Sequence, residues 1–431
     1  MFRKITAQLL EWKNSAYRKP LIIQGARQVG KTYAVLGFAR ERYDNIAYIN
    51  FEVDKMAASI FENNLSPNEV IPKIEVFTKQ TVTKGRTLIF LDEIQKCPPA
   101  LTALKYFHEF APEYHVIAAG SLLGVAVNRD EFSYPVGKVD KLTLYPMDFE
   151  EFMIALDKPE LITRIKECYE SNMPMDAVFH SALLEYYRKY LVVGGMPECV
   201  AKFIETNDYV LIRATQKLIL EGYLDDMSKY NNQNEIKKTR LTYNSITAQL
   251  SKKNTRFQYK LIKSGGRAAE FENAIEWLAL SGIVGRVHMV DTVKKPLENY
   301  RNIDGFKIFM SDIGLLCANN NVLANDVLYE SSDLDDFKGG MTENYVFTQL
   351  RCRPYDCYTW YSDGEAEIDF IIQRDGKIIP LEVKSANNAK AKSLGIYIGK
   401  YKPDYAMKIS INNFGFMNGI KTIPLYAVFC I

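Results

Sequence analysis

The chain has 431 residues, of which 47% are hydrophobic and 25% charged, with a formal net charge of +2. At roughly 100–200 residues per domain this length calls for two to four domains, and the composition excludes a disordered chain. The near-neutral balance excludes a global field that steers the protein to nucleic acid, so any such surface has to come from local clustering.

The first twenty residues, MFRKITAQLLEWKNSAYRKP, read as a polar amphipathic helix without the apolar core or small-residue cleavage site of a signal peptide. No run of about 18 apolar residues follows anywhere, so no membrane contact is expected and the expected location is the cytoplasm. From Leu21 to about Pro146, strand-like apolar runs (LIIQG, IAYINFE, IEVF, TLIFLDE, HVIAAGS) alternate with helical patterns. That alternation predicts an α/β domain over residues 1–147, a parallel sheet covered by helices. Residues 148–235 read as a helical lid or connector, punctuated at Gly194-Gly195 and Pro197. Residues 236–305 read as short helices followed by the strand GIVGRVHMVD, and residues 306–431 return to mixed α/β.

The first chemical signal is Gly25-Ala26-Arg27-Gln28-Val29-Gly30-Lys31-Thr32, which fits GxxxxGK[ST]. It follows an apolar strand and opens a helix, the context in which backbone N–H groups and a helix N-terminus converge on phosphate oxygens. Lys31 is expected to reach the β- and γ-phosphates of ATP, and the Thr32 hydroxyl to ligate Mg²⁺.

About 60 residues on, the buried strand TLIFL ends in Asp92-Glu93. In a parallel sheet the strand C-termini open onto the ligand crevice. There Asp92 would hold Mg²⁺ and Glu93 would polarise an attacking water. Glu93 as a plain helix cap is the bland alternative. The carboxylate pair selects the ATPase class that has an additional strand beside the P-loop strand, and no NKxD-type guanine reader is present. The strand VIAAGS ends at Ser121, placed to sense the γ-phosphate or, more plainly, to form a turn.

These segments, with LTLYPMDFEEF and YLVVGGMPECV after them, resemble in this order a prokaryotic AAA-type ATPase family. Its members carry a C-terminal domain of unknown function related to restriction-endonuclease folds. The resemblance covers nearly the whole chain and implies ATP binding, with homo-oligomerisation left open. It leads us to expect Gly-Arg before LTLYP, where this chain has Gly137-Lys138. Lysine is a poorer bidentate donor than arginine, so a cationic finger at this position is in question.

Residues 236–267 hold Lys237, Lys238, Arg240, Lys252, Lys253, Arg256, Lys260, Lys263 and Arg267 with no acidic residue, interleaved with Tyr243, Phe257 and Tyr259. The helix–turn–helix–strand outline resembles a winged helix, which can lay a basic helix on a phosphate backbone. A solvated helix face is the simpler account of such a stretch, and a protein-binding winged helix is a further one.

Near the C-terminus, Glu343 falls on a helix, Asp369 in the strand EAEIDFIIQ, and Glu382 and Lys384 in KIIPLEVKS. Helical Glu, strand Asp, then Glu-x-Lys resembles the PD-(D/E)xK nuclease core, with Ile368 where a proline usually precedes the Asp. Asp369 and Glu382 would hold Mg²⁺, Lys384 would orient water, and Glu343 would position the metal or the lysine. Asp375-Gly376 between two apolar runs predicts a two-residue type I′ hairpin. Counting outward, that turn sets Asp369 opposite Glu382 and Glu367 opposite Lys384, all on one face.

The seven scattered cysteines and His108, His115, His180 and His288 show no metal-ligand spacing. The leading expectation is an Mg²⁺-dependent ATPase whose nucleotide state governs a DNA-directed nuclease-like module. A nucleotide-dependent binding switch with a silent C-terminal domain is the rival, and an ATPase acting on protein partners a third.

Overall fold

The computed structural model describes residues 1–121, 135–230, 233–251, 256–362, 366–385 and 392–431. They divide into two compact units, Met1–Tyr145 with Leu280–Gly282, and Pro146–Ala279 with Ile283–Ile431.

In the first unit, helix α1 (Ile5–Asn14) precedes strand β1 (Leu21–Gln24), helix α2 (Lys31–Arg42) and strand β2 (Asn45–Asn50). Helix α3 (Pro67–Thr78), strand β3 (Thr87–Asp92), helix α4 (Pro98–Phe110), and strands β4 (His115–Gly120) and β5 (Asp140–Thr143) complete it. The strands form one sheet in the order β2-β3-β4-β1-β5, every pair parallel. Strand β4 therefore lies between β1 and β3, which is the additional strand expected from the carboxylate pair. Period-2 alternation divides the strand side chains between two faces. Ile22, Ile49, Ile89, Leu91 and Val116 pack with Val70, Ile74, Leu101, Leu104 and Phe107 of α3 and α4.

One strand expectation fails here. Ile74-Glu75-Val76-Phe77 forms the last turn of α3. Pro67 starts that helix, and Val70, Ile71 and Ile74 bury one side of it while Val76 is 80% exposed. A short apolar run carries no strand signal once a helical stripe precedes it.

The second unit begins with helices over Phe149–Ala155, Pro159–Ser171, Ala177–Val193, Pro197–Thr206, Tyr209–Tyr230, Gln233–Ser251 and Ala268–Leu280. Asp148 starts the first with a reciprocal capping box: its carboxylate accepts from the Glu151 N–H at 2.9 Å. The glycines of GGMPE are demanded by packing as well as by turning. A Cβ on Gly195 would lie 2.0 Å from the Met147 carbonyl oxygen, and Gly195 N–H donates to buried Asp312 at 2.6 Å.

Strands β6 (Val284–Val290), β7 (Arg301–Met310), β8 (Cys357–Ser362), β9 (Ala366–Arg374), β10 (Lys377–Val383), β11 (Ala406–Ser410), β12 (Gly415–Met417) and β13 (Ile420–Pro424) make a second, mixed sheet. Its order is β12-β13-β11-β10-β9-β8-β6-β7. Strand β7 spans positions 305 and 306, and β6 pairs with β8, so residues on both sides of that position share one sheet. Helix Asp335–Leu350 packs by its buried side, including Tyr345, Val346 and Phe347. Among the described residues no helix is long and apolar enough to cross a membrane.

Candidate nucleotide site and C-terminal carboxylate cluster

The loop between β1 and α2 turns through positive φ at Gly25 (150°), Gln28 (65°) and Gly30 (90°). Gly25 has a second constraint: a Cβ there would meet the Leu144 carbonyl oxygen at 2.2 Å. Val29 is fully buried, and its carbonyl accepts from Arg3 Nη1 at 2.8 Å, while Arg3 Nη2 donates to the Tyr145 carbonyl at 2.6 Å. The N-terminal segment thus pins the loop from behind, a role that sequence reading did not assign to Arg3.

Lys31 is 6% exposed and donates to the loop's own carbonyls, Gly25 at 2.9 Å and Ala26 at 2.8 Å. Burial pulls its pKa down to about 8, against the raising effect of the Glu93 and Asp92 carboxylates. The Thr32 hydroxyl donates to Asp92 Oδ2 at 2.7 Å, joining the first turn of α2 to the end of β3. Tyr48 at 3.1 Å donates to the same oxygen, and Asn50 donates to the Tyr48 hydroxyl at 3.2 Å. Both residues come from β2 and escaped the sequence reading. A Thr hydroxyl and a carboxylate converging in this way fit Mg²⁺, which takes few protein oxygens and completes its shell with phosphate and water.

Glu93 follows directly, in the left-handed region at φ 52°. Burial raises its pKa, which the hydrogen bond from Gln95 and the charge of Lys31 oppose. Ser121 is 7% exposed and follows Gly120, which pairs with Gln24 of β1 at the carboxyl edge of the sheet. Lys138 pairs with Glu109 at 3.1 Å within the same unit.

In the second unit the hairpin forms as counted. Asp375 and Gly376 have φ of 49° and 70°, and Arg374 pairs with Lys377 in a ladder that runs to Phe370 opposite Leu381. The recorded ladder ends there, one step short of Asp369 and Glu382. Ile368, Phe370 and Leu381 are fully buried on the core side, with Val383 close to it. Glu382 pairs with Lys384, and Asp369 Oδ2 accepts from the Val383 N–H at 2.7 Å. Glu343, from helix Asp335–Leu350, joins through a residue the sequence reading missed. Lys307 of β7 is 8% exposed and bridges Glu343 at 3.0 Å and Glu367 at 2.5 Å. Its signal was a lone charge between Phe306 and Ile308 in an apolar strand.

Burial raises the pKa of Asp369 well above the usual carboxylate range, and Glu343 adds to this; Glu382 is raised chiefly by burial. Burial pulls Lys307 down, but Glu343, Glu367 and Asp369 together lift it above an ordinary lysine. Oxygen Oε2 of Glu382 is buried with no hydrogen-bond partner among the described residues. Among the described residues there is no group of three or more His, Cys, Asp or Glu side chains arranged to hold a metal ion.

In the basic stretch, Lys237, Arg240, Arg256, Lys260, Lys263 and Arg267 are exposed; Lys252 and Lys253 lie outside the described residues. Lys238 pairs with Glu235 at 2.9 Å and Lys263 with Glu270 at 3.4 Å. The aromatics serve packing. Tyr243 and Phe257 are buried, Phe257 stacks on Phe306 at 5.3 Å, and the Tyr259 hydroxyl donates to Glu272 at 3.1 Å. A base-stacking platform needs exposed rings, which Tyr243 and Phe257 do not offer.

The parallel sheet, the loop and the paired carboxylates define the first unit as a P-loop ATPase domain of the AAA type. Residues 17–153 match the family model described as an AAA domain. Residues 184–326 and 338–428 match two domains of unknown function, DUF8612 and DUF4143. Among solved structures, the chain is similar to the Walker-type ATPase of Pyrococcus abyssi, at 15% identity, covering 74% of this chain and 95% of that one with a TM-score of 0.45. It is also similar to the AMPPCP-bound DnaA of Aquifex aeolicus, at 16% identity over 64% and 86% of the two chains with a TM-score of 0.29. For the Orc1 protein of Aeropyrum pernix in complex with DNA, the identity is 13% over 74% and 91%, with a TM-score of 0.29. No curated protein matches the chain.

Proposed function

We propose that the chain hydrolyses ATP with Mg²⁺ and that its nucleotide state governs a DNA-directed, nuclease-like C-terminal module. The observation that carries the ATPase reading is the 2.7 Å contact of Thr32 with Asp92 across the crevice from Lys31, with Glu93 next in the chain. Mg²⁺, when held by Thr32 and Asp92, neutralises charge on the phosphates. Lys31 leaves the Gly25 and Ala26 carbonyls for the β- and γ-phosphate oxygens. Glu93 orients a water and takes one of its protons as the water oxygen attacks the γ-phosphorus, the bond to the bridging oxygen breaks with its electron pair passing to ADP, and ADP and phosphate leave. Ser121 contacts the γ-phosphate from the end of β4.

For the C-terminal module, Asp369 and Glu382 would hold a divalent cation, with Glu343 positioning and Lys384 orienting water. The orphaned Oε2 of Glu382 supports this, as does the balance of four carboxylates, Glu343, Glu367, Asp369 and Glu382, against two lysines. The exposed cations of residues 236–267 would meet DNA phosphates. A catalytically silent module is favoured by a different observation: Lys307 and Lys384 already pair with three of those carboxylates. The test is steady-state ATPase activity with and without duplex DNA, beside plasmid nicking in Mn²⁺ or Mg²⁺. The proposal expects DNA-responsive hydrolysis and nicking that Asp369→Ala abolishes. DNA-responsive hydrolysis with an intact plasmid establishes the silent module, and no hydrolysis at all removes the ATPase reading.

A further inference from the structure

The two carboxylates at the end of β3 are held by different neighbours. Asp92 is held by Thr32 and Tyr48, and its Oδ1 accepts from the Glu93 N–H at 3.1 Å. Glu93 is held by Gln95, whose Nε2 donates to Glu93 Oε2. Gln95 sits in the 3-10 turn Ile94–Lys96, closed by Lys96 N–H to the Glu93 carbonyl and Cys97 N–H to the Ile94 carbonyl, each at 2.9 Å. Gln95 is 8% exposed, and its Oε1 is shielded from solvent with no hydrogen-bond partner among the described residues.

The amide's orientation follows from its neighbour. A carboxylate only accepts, so the NH₂ faces Glu93 and the carbonyl oxygen is the end left over. Leaving a buried acceptor unpaired is unfavourable, and a water brought beside the Glu93 carboxylate would pair this one. A water approaching Glu93 has two protons, and the site offers two acceptor side chains for them.

We propose that Gln95 is a positioning residue for hydrolysis: it fixes the Glu93 carboxylate against free rotation, and its Oε1 accepts a hydrogen bond from the second O–H of the water that Glu93 orients. This rests on the ATPase reading above. Gln95 touches neither nucleotide nor Mg²⁺ in this scheme, so its removal affects turnover and leaves ATP affinity alone. Because Gln95 orients both the Glu93 carboxylate and the water that Glu93 holds, its effect vanishes when Glu93 cannot hold that water.

The experiment is a double-mutant cycle on the full chain, with fluorescent ATP-analogue binding, steady-state hydrolysis and thermal melting of each variant. Gln95→Met keeps length and volume and removes both polar atoms; Gln95→Ala stands in if the longer side chain disturbs folding. The expected result is a Kd within about twofold of wild type and a kcat lower by roughly tenfold to a hundredfold, the scale of a misplaced catalytic group. Glu93→Gln combined with Gln95→Met should be no slower than Glu93→Gln alone. Wild-type turnover in Gln95→Met, or losses that multiply in the double variant, overturns the role of Gln95 and leaves the ATPase reading standing. A wild-type chain that binds the nucleotide and never hydrolyses it removes both.

Discussion

Lys31 is held in place by the loop's own backbone. Its ammonium is buried and donates to two loop carbonyls, which satisfy it without a salt-bridge partner of its own among the described residues. Lys31→Ala should therefore fold and lose ATP. Ligand at about 100 times its Kd stabilises the folded state by about 2.7 kcal/mol, so wild type should gain melting temperature with Mg·ATP and the variant should not. Equal shifts in both proteins would remove the P-loop assignment. Burial lowers the Lys31 pKa to about 8, and a phosphate beside it would favour the charged form. ATP affinity of the wild type should therefore weaken as pH rises through about 8, by up to about tenfold per unit until the pKa of the bound state is reached. Lys31→Ala should show no such step. Glu93→Gln keeps the shape of the side chain and removes its charge. It should bind ATP as wild type does and turn over roughly a hundredfold more slowly. Unchanged hydrolysis would assign the water-orienting role to another residue.

At the scale of elements, three pieces distant in sequence build the C-terminal cluster: β7, helix Asp335–Leu350 and the β9–β10 hairpin. The hairpin sets the register, and a slip of one residue would turn Asp369 to the face now holding Ile368 and Phe370. Lys307 then joins the helix to the hairpin. Lys307→Met keeps the bulk of the side chain and strands the Glu343 and Glu367 carboxylates, and breaking a buried pair on one side costs roughly 3–5 kcal/mol. Urea unfolding should show that loss, and adding Glu367→Gln to Lys307→Met should restore part of it. A Lys307→Met variant as stable as wild type would mean that the lysine is not the cluster's counter-charge.

Over the whole molecule, charge is balanced in total and uneven in place. Arg256, Lys260 and Arg267 are exposed and lie in a stretch without acidic residues. If that surface meets DNA, replacing these three by Glu should weaken duplex binding and make the plot of log affinity against log salt shallower. Each lost phosphate contact should change the slope by about 0.9. Fluorescence anisotropy at several salt concentrations measures both, and unaltered affinity with an unaltered slope would place the DNA contact elsewhere or nowhere.

The sequence by itself determined the parts whose physics is local. The phosphate loop is legible because its glycines, lysine and threonine act within one turn of chain. The β9–β10 register is legible because Asp375-Gly376 admits a type I′ turn, which dictates every pairing outward from it. Tertiary structure decided what depends on neighbours distant along the chain. Tyr48 reaches Asp92 across two adjacent strands, Arg3 reaches Val29 and Tyr145, and Lys307 finds Glu343 and Glu367; no spacing rule connects these residues. It also decided between readings that a short run leaves degenerate. Ile74–Phe77 is helix because a helical stripe and Pro67 precede it, and Tyr243 and Phe257 are core residues, Phe257 stacked on Phe306 of strand β7. Burial is a property of the assembled surface, and it is burial that lowers the pKa of Lys31, shields the amide oxygen of Gln95 and makes a lysine necessary among the C-terminal carboxylates.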